Sequence, residues 1–290
     1  MPTLLLAGCG DLGTALGLQL AQEGWDVWGL RRNATTLPEG VNGWSADLNR
    51  PETLSNPPAT FDHVVYTATP DQYDEAGYVS AYVDGVGNIL QALQSHPVQR
   101  FVLVSSTSVY AQNTGEEVDE ESPTTPSHYS GRTILDGEAI VQSLDEIGVI
   151  VRFGGIYGPK RTQLLSGVRK GTAVCYDGAP RYTNRIHRDD CVGFLGHILK
   201  MDKPESIYLG VDSSPAPKND VLNWLADALN KERPSMKPES ERPTGRRSRS
   251  NKRCSNKRLL ASGYTLLYPG YQEGYTAILQ EFRSNEPSAS

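Results

Sequence analysis

The chain has 290 residues, enough for one large or two modest domains with a substantial core. Its composition, 38% hydrophobic and 21% charged, describes a soluble globular protein, and no apolar run approaches the ~20 residues that a membrane span needs. A net charge of −6 argues against nucleic acid as the main partner.

The N-terminus enters an apolar strand with no basic leader or cleavage site, so a cytoplasmic protein is expected. Cys9, Cys175, Cys191 and Cys254 form no C-x-x-C pair and read as reduced thiols, not as disulfides or zinc ligands. No His, Asp or Glu cluster has metal-ligand spacing, so no metal is expected.

The run Leu4-Leu5-Leu6-Ala7 reads as a strand, and an Ala/Leu-rich helix follows Gly8-Cys9-Gly10-Asp11-Leu12-Gly13. This strand, glycine turn and helix form the G-x-G-x-x-G dinucleotide signature. Gly8 permits the tight turn, Gly10 lets a pyrophosphate approach the backbone, and Gly13 lets the helix pack close to the strand. The N–H groups at the helix start, including those of Asp11 and Leu12, then face the phosphates. Cys9 is either a redox-sensitive thiol or simply a small residue in a crowded turn.

A second strand, 26–30, ends at Arg31-Arg32. An NAD site places an acid there for the ribose hydroxyls, whereas guanidinium groups suit a 2′-phosphate, so NADP is expected over NAD. A third strand, 41–47, ends at Asp47, which would cap the next turn or accept from an adenine amino group. Residues 49–60 read as a short helix or loop. The fourth strand, 61–69, ends in small residues at Thr67 and Ala68, as a backbone passing close to a cofactor requires. A helix is expected over 78–94, then a fifth strand, 101–106, apolar on both faces.

These elements predict an α/β fold, a doubly wound parallel sheet of the Rossmann type, with a small C-terminal substrate-binding subdomain. The expected division is 1–160 plus 183–203 for the dinucleotide domain, and 161–182 plus 204–283 for the subdomain. In the second half, strands are expected at 147–153 and 207–211 and helices at 192–201 and 219–230. A last helix near Tyr275 would precede a disordered tail, 284–290. The basic segment 246–258 has three readings: a solvated loop, an anion site for substrate, or a nucleic-acid tail.

After the fifth strand comes Ser105-Ser106-Thr107-Ser108-Val109-Tyr110, and nineteen residues beyond Tyr110 comes Tyr129-Ser130-Gly131-Arg132-Thr133, followed by Glu138. Ile156-Tyr157-Gly158-Pro159 and Ile186-His187-Arg188-Asp189-Asp190 come later, then Ser255-Asn256-Lys257-Arg258-Leu259. In this set and order the chain resembles the extended short-chain dehydrogenase/reductases, the NAD(P)-dependent epimerase/dehydratase family. The resemblance implies that Ser106 hydrogen-bonds the substrate oxygen. It makes Tyr129 the general acid/base, moving a proton as hydride passes to or from the nicotinamide. A phenol of pKa ~10 is a poor base at neutral pH, and in the family a lysine one turn later lowers that pKa and holds the ribose.

Here Thr133 occupies the lysine position, with a hydroxyl for the ribose but no charge. Arg132 is one residue short, on a neighbouring helical row, though its arm is long. The glycine spacing also departs from the family's G-x-x-G-x-x-G. Together these resemble the atypical branch, in which the fold and often the cofactor persist while catalytic residues are lost or moved. Two functions stay open. One is an oxidoreductase or epimerase/dehydratase acting on a secondary alcohol or carbonyl, with nucleotide-sugars and other anionic small molecules among its substrates. The other is an NADP(H)-binding protein without turnover, with a structural or regulatory role. The resemblance also implies a homodimer, a structural His187, Asp190 capping the helix after it, and Ser255 as an N-cap.

Overall fold

The computed structural model describes residues 1–243 and 250–284. Strand β1 (Thr3–Ala7) leads through the glycine turn to helix α1 (Asp11–Gln22) and then β2 (Asp26–Arg31). β3 (Asn42–Ser45), β4 (His63–Tyr66) and β5 (Arg100–Ser106) follow. With the strands Gly148–Phe153 and Ile207–Gly210 they form one seven-stranded parallel sheet. Its order is Ile207–Gly210, Gly148–Phe153, β5, β4, β1, β2, β3. After β3 the chain crosses back to β4, on the other side of β1. The carboxyl end of β1 is therefore the point where strand order reverses, the place at which open α/β sheets bind ligands.

Leu4, Leu5 and Leu6 are fully buried, because helices cover both faces of a parallel sheet. One face packs Leu5, Leu30, Phe61, Val64, Phe101 and Ile150 together. Each such side chain contributes about 1.5–3 kcal/mol of transfer free energy.

The helix expected over 78–94 is instead α2 (Glu75–Val79), one π-helical turn (Ser80–Asp84) and α3 (Gly85–Ala92). The Tyr66 hydroxyl donates to the Ala81 carbonyl at 2.5 Å, inside that wide turn. A side chain inserted into the ladder is an ordinary cause of such a bulge.

The chain divides into two compact units. The first is Met1–Tyr110, Thr124–Arg152 and Cys191–Tyr208, and it holds most of the sheet. The second is Ala111–Pro123, Phe153–Asp190 and Leu209–Ser290. Its core gathers Leu165, Val168, Cys175, Val221, Leu225, Tyr275 and Ile278 from the helices Gln163–Arg169, Lys218–Ala228 and Tyr271–Ser284 and from the strand Val174–Tyr176.

Three expectations are corrected in the second unit. Asp190 does not cap the helix Arg188–Lys200, because it is the third residue of that helix. Its carboxylate, fully buried, accepts the N–H groups of Leu267 (2.7 Å) and Tyr268 (3.0 Å). Ser255 stands one residue before the N-cap of Lys257–Ala261, which is Asn256. The last helix runs through Ser284, so of the tail expected to be disordered only 285–290 lie outside the described residues.

Candidate active site

The glycine turn has the backbone geometry that its three glycines imply. Gly8 has φ +79°, and a Cβ there would stand 2.6 Å from the Ala68 backbone. Gly8 and Cys9 both donate to the Leu30 carbonyl, tying the turn to the end of β2. A Cβ on Gly13 would lie 3.2 Å from Thr67 Oγ1, so α1 sits close to the end of β4. At Gly10 a Cβ would meet nothing nearer than the Gly8 carbonyl at 3.8 Å. No side chain caps the helix that begins at Asp11, so the positive end of its dipole opens at this concavity. These features fit a dinucleotide pyrophosphate.

The cleft beside this turn is about 670 Å³ and runs from Gly8, Cys9 and Gly10 past Leu30, Arg31 and Arg32 to Asp47, Ala68, Asp71 and Asp74. Leu12 turns away into the core. Thr67 spends its hydroxyl on the Gly8 carbonyl at 2.9 Å and braces the turn. Asp47 serves as the turn cap: its Oδ1 accepts from Asn49 N at 3.0 Å while the residue lines the cleft. Cys9 is buried, and burial pushes its thiol above the ordinary range. That favours the small-residue reading, since reactive cysteines need an accessible thiolate. Arg32 makes a two-pronged ion pair with Asp71, which sequence spacing could not show.

At the carboxyl end of β5, Ser106 Oγ accepts from Ser108 N at 3.2 Å, capping the single 3-10 turn Thr107–Val109. That turn packs against α4 (Tyr129–Gln142), whose first residue is Tyr129. The Tyr129 hydroxyl donates to the Tyr73 carbonyl at 2.6 Å, and its ring stands edge-on to Tyr78. Thr133, one turn later, is buried. Arg132 does not replace the missing lysine, because its guanidinium is held by the Ser127 carbonyl at 2.6 Å. Ser106, Tyr129 and Thr133 are thus carried by one small framework of β5, the 3-10 turn and α4.

Sequence reasoning named Glu138 but missed what it anchors. Ser105 Oγ donates to Glu138 Oε1 at 2.5 Å. Arg152 reaches the same carboxylate through Nε (3.0 and 3.2 Å) and Nη2 (2.6 Å), and donates from Nη1 to the Tyr110 hydroxyl at 2.7 Å. All four side chains are buried. The network locks α4 to β5 and to the strand Gly148–Phe153. The available signal was a polar residue directly after an apolar run in each of two strands, Ser105 after 101–104 and Arg152 after 149–151, with a glutamate on the helix between them.

The second unit carries its own cleft of about 460 Å³, lined by Gln163, Tyr176, Arg181, Thr183, Lys218 and Arg242 among others. Arg181 and Arg242 share one carboxylate, Glu239, at 2.8 and 2.7 Å, and Arg242 lies over the Tyr176 ring at 4.5 Å. Of the basic segment 246–258, residues 246–249 lie outside the described residues. The rest is not all loop, although Arg253 and Lys257 are exposed to solvent. Lys252–Cys254 is a strand paired with Glu116–Val118, and Lys257 and Arg258 bind Glu117 and Glu121. Acidic residues 137 and 140 positions away in the chain stand beside charges that the local sequence leaves bare.

Among the described residues no helix is long and apolar enough to cross a membrane. The NAD dependent epimerase/dehydratase family matches residues 4–201. A Methylobacillus flagellatus protein assigned provisionally to the NAD-dependent epimerase/dehydratases shares 37% identity and superposes with a TM-score of 0.81 over 97% of this chain and 99% of its own. Protein YeeZ of Escherichia coli K12 is 26% identical over 251 residues, 82% of this chain and 87% of YeeZ. Human epimerase family protein SDR39U1, solved with NADPH, has the same fold at 20% identity, with a TM-score of 0.79 over 97% of this chain and 99% of that one. The chain belongs to the NAD-dependent epimerase/dehydratase family.

Proposed function

We propose that this protein is an NADP(H)-dependent oxidoreductase acting at a secondary alcohol or carbonyl of a small anionic substrate. The reaction is net reduction or oxidation, or transient oxidation within an epimerisation or dehydration. The observation that carries the reading is the open concavity at Gly10, at the head of an uncapped helix and at the switch point of the sheet. Gly8, Gly10 and the N–H groups of Asp11, Leu12 and Gly13 would hold the pyrophosphate, and Arg31 the 2′-phosphate. The bound nicotinamide supplies hydride transfer. Ser106 offers a hydroxyl to the substrate oxygen, Tyr129 gives or takes its proton, and the Thr133 hydroxyl orients the ribose.

The cleft at Arg181, Lys218 and Arg242 supports an anionic substrate, a nucleotide-sugar being one such molecule. One observation favours the second reading, binding without turnover. Tyr129 already donates its hydroxyl to the Tyr73 carbonyl, and Thr133 occupies the position where the family has lysine. Calorimetric titration with NADPH and NADH tests the cofactor. A screen of carbonyl compounds and nucleotide-sugars with wild type and Tyr129→Phe then separates the readings. Turnover that falls at least a hundredfold in Tyr129→Phe supports the enzyme, and cofactor binding with no turnover of any compound supports the second reading.

A further inference from the structure

The dipeptide Arg31-Arg32 by itself predicts a cleft built for a 2′-phosphate. The wall of the cleft carries a different balance of charge. Two guanidiniums, Arg31 and Arg32, share it with three carboxylates, Asp47, Asp71 and Asp74. Two of these acids have local duties. Asp47 accepts from Asn49 N and Asp74 from Gly77 N. Asp71 is different: both its oxygens are engaged by Arg32, at 2.7 and 2.9 Å. Its segment is tied again two residues later, where Tyr73 O accepts from the Tyr129 hydroxyl.

We propose that Asp71 is a cofactor-specificity residue, whose carboxylate competes with the 2′-phosphate for Arg32 and lowers the preference for NADP(H) over NAD(H). The proposal rests on the dinucleotide reading of this cleft. The side chains of Arg32 and Asp71 are 65% and 59% exposed, so the pair is weak and exchangeable. The two-pronged geometry spreads the guanidinium fork in the form that also suits phosphate. A 2′-phosphate must displace the carboxylate and then lie beside its uncompensated charge. A 2′-hydroxyl meets no such penalty and can donate to Asp71, an acceptor-only group. The second tie at Tyr73 restrains the loop, so the carboxylate is kept near Arg32.

The test is calorimetric measurement of Kd for NADPH and NADH with the full chain as wild type, Asp71→Asn and the double variant Asp71→Asn/Arg32→Ala, at one ionic strength. Asp71→Asn should raise the ratio Kd(NADH)/Kd(NADPH) about tenfold, which corresponds to ~1.4 kcal/mol, and adding Arg32→Ala should abolish the gain. Asp71 lies on an exposed loop, so thermal melting confirms that each variant is folded. An unchanged ratio in Asp71→Asn, with both cofactors still binding, overturns the proposal. A gain that survives Arg32→Ala also overturns it. If folded wild type binds neither dinucleotide, the dinucleotide reading itself fails and takes the proposal with it.

Discussion

Two arginine–carboxylate pairs in the first unit have nearly the same contact distance and opposite roles. Arg152 and Glu138 meet at 2.6 Å with side chains 4% and 2% exposed, while Arg32 and Asp71 meet at 2.7 Å at 65% and 59% exposure. Water screens the second pair, leaving it close to thermodynamically neutral and free to exchange partners. The first pair is dry and further bonded to Ser105 and Tyr110, so neither member can leave without stranding the other. Environment, more than the contact distance, decides which ion pair is a brace and which is a switchable contact.

The largest expected effect breaks the buried pair. Glu138→Ala should cost about 3–5 kcal/mol, because it leaves the Arg152 guanidinium uncompensated in the interior. Urea denaturation of the variant measures this, and a loss below about 1 kcal/mol would put the pair in the class of Arg32 and Asp71.

A third carboxylate, in the second unit, sharpens the comparison because it is buried but only half partnered. Asp212 is 1% exposed; Oδ1 accepts from Ser214 N, while Oδ2 has no hydrogen-bond partner among the described residues. Burial pushes its pKa up to about 7, against the pull of Arg185. Between the ordinary carboxyl range and about pH 7 the folded state therefore holds a proton that the unfolded state has lost. The stability contributed by this group is complete in acid and is lost as pH rises through about 7. Asp212→Asn, neutral at every pH, should be more stable than wild type by roughly 2–4 kcal/mol at pH 8 and about equal at pH 4. Thermal melting at the two pH values checks this, and a pH-independent difference would contradict it.

Smaller effects belong to the cleft. Arg31→Ala should weaken NADPH by about 1.5–3 kcal/mol, as a lost charged hydrogen bond does, with NADH changed little. Equal weakening of the two in calorimetry would remove Arg31 from the 2′-phosphate. Asp71→Asn should leave folding stability within about 1 kcal/mol of wild type. A larger loss on denaturation would show that this exposed pair is a brace after all.

The same contrast explains which parts of the molecule were legible in the linear chain. The glycine turn was, because its requirements are local: the left-handed φ at Gly8, the open backbone at Gly10 and the close packing at Gly13 all fall within six residues. Strand and helix alternation was legible for the same reason, since periodicity is a property of neighbours. The Asp190 and Ser255 assignments failed because a capping residue was inferred from type and position alone. The actual partners of Asp190, Leu267 and Tyr268, lie 77 and 78 residues away. Nothing near Tyr129 in sequence announces that its hydroxyl goes to the Tyr73 carbonyl, 56 residues upstream.

The sequence by itself determined the parallel sheet, the place of the candidate dinucleotide cleft at its switch point, and the family, because backbone geometry and hydrophobic periodicity are written in short runs. Only the tertiary structure decided which charges face one another. It set Asp71 against Arg32, placed Glu117 and Glu121 beside Lys257 and Arg258, and buried Glu138 with Arg152. Electrostatic partners are chosen by distance in space and by access to water, and neither is encoded in the spacing of residues along the chain.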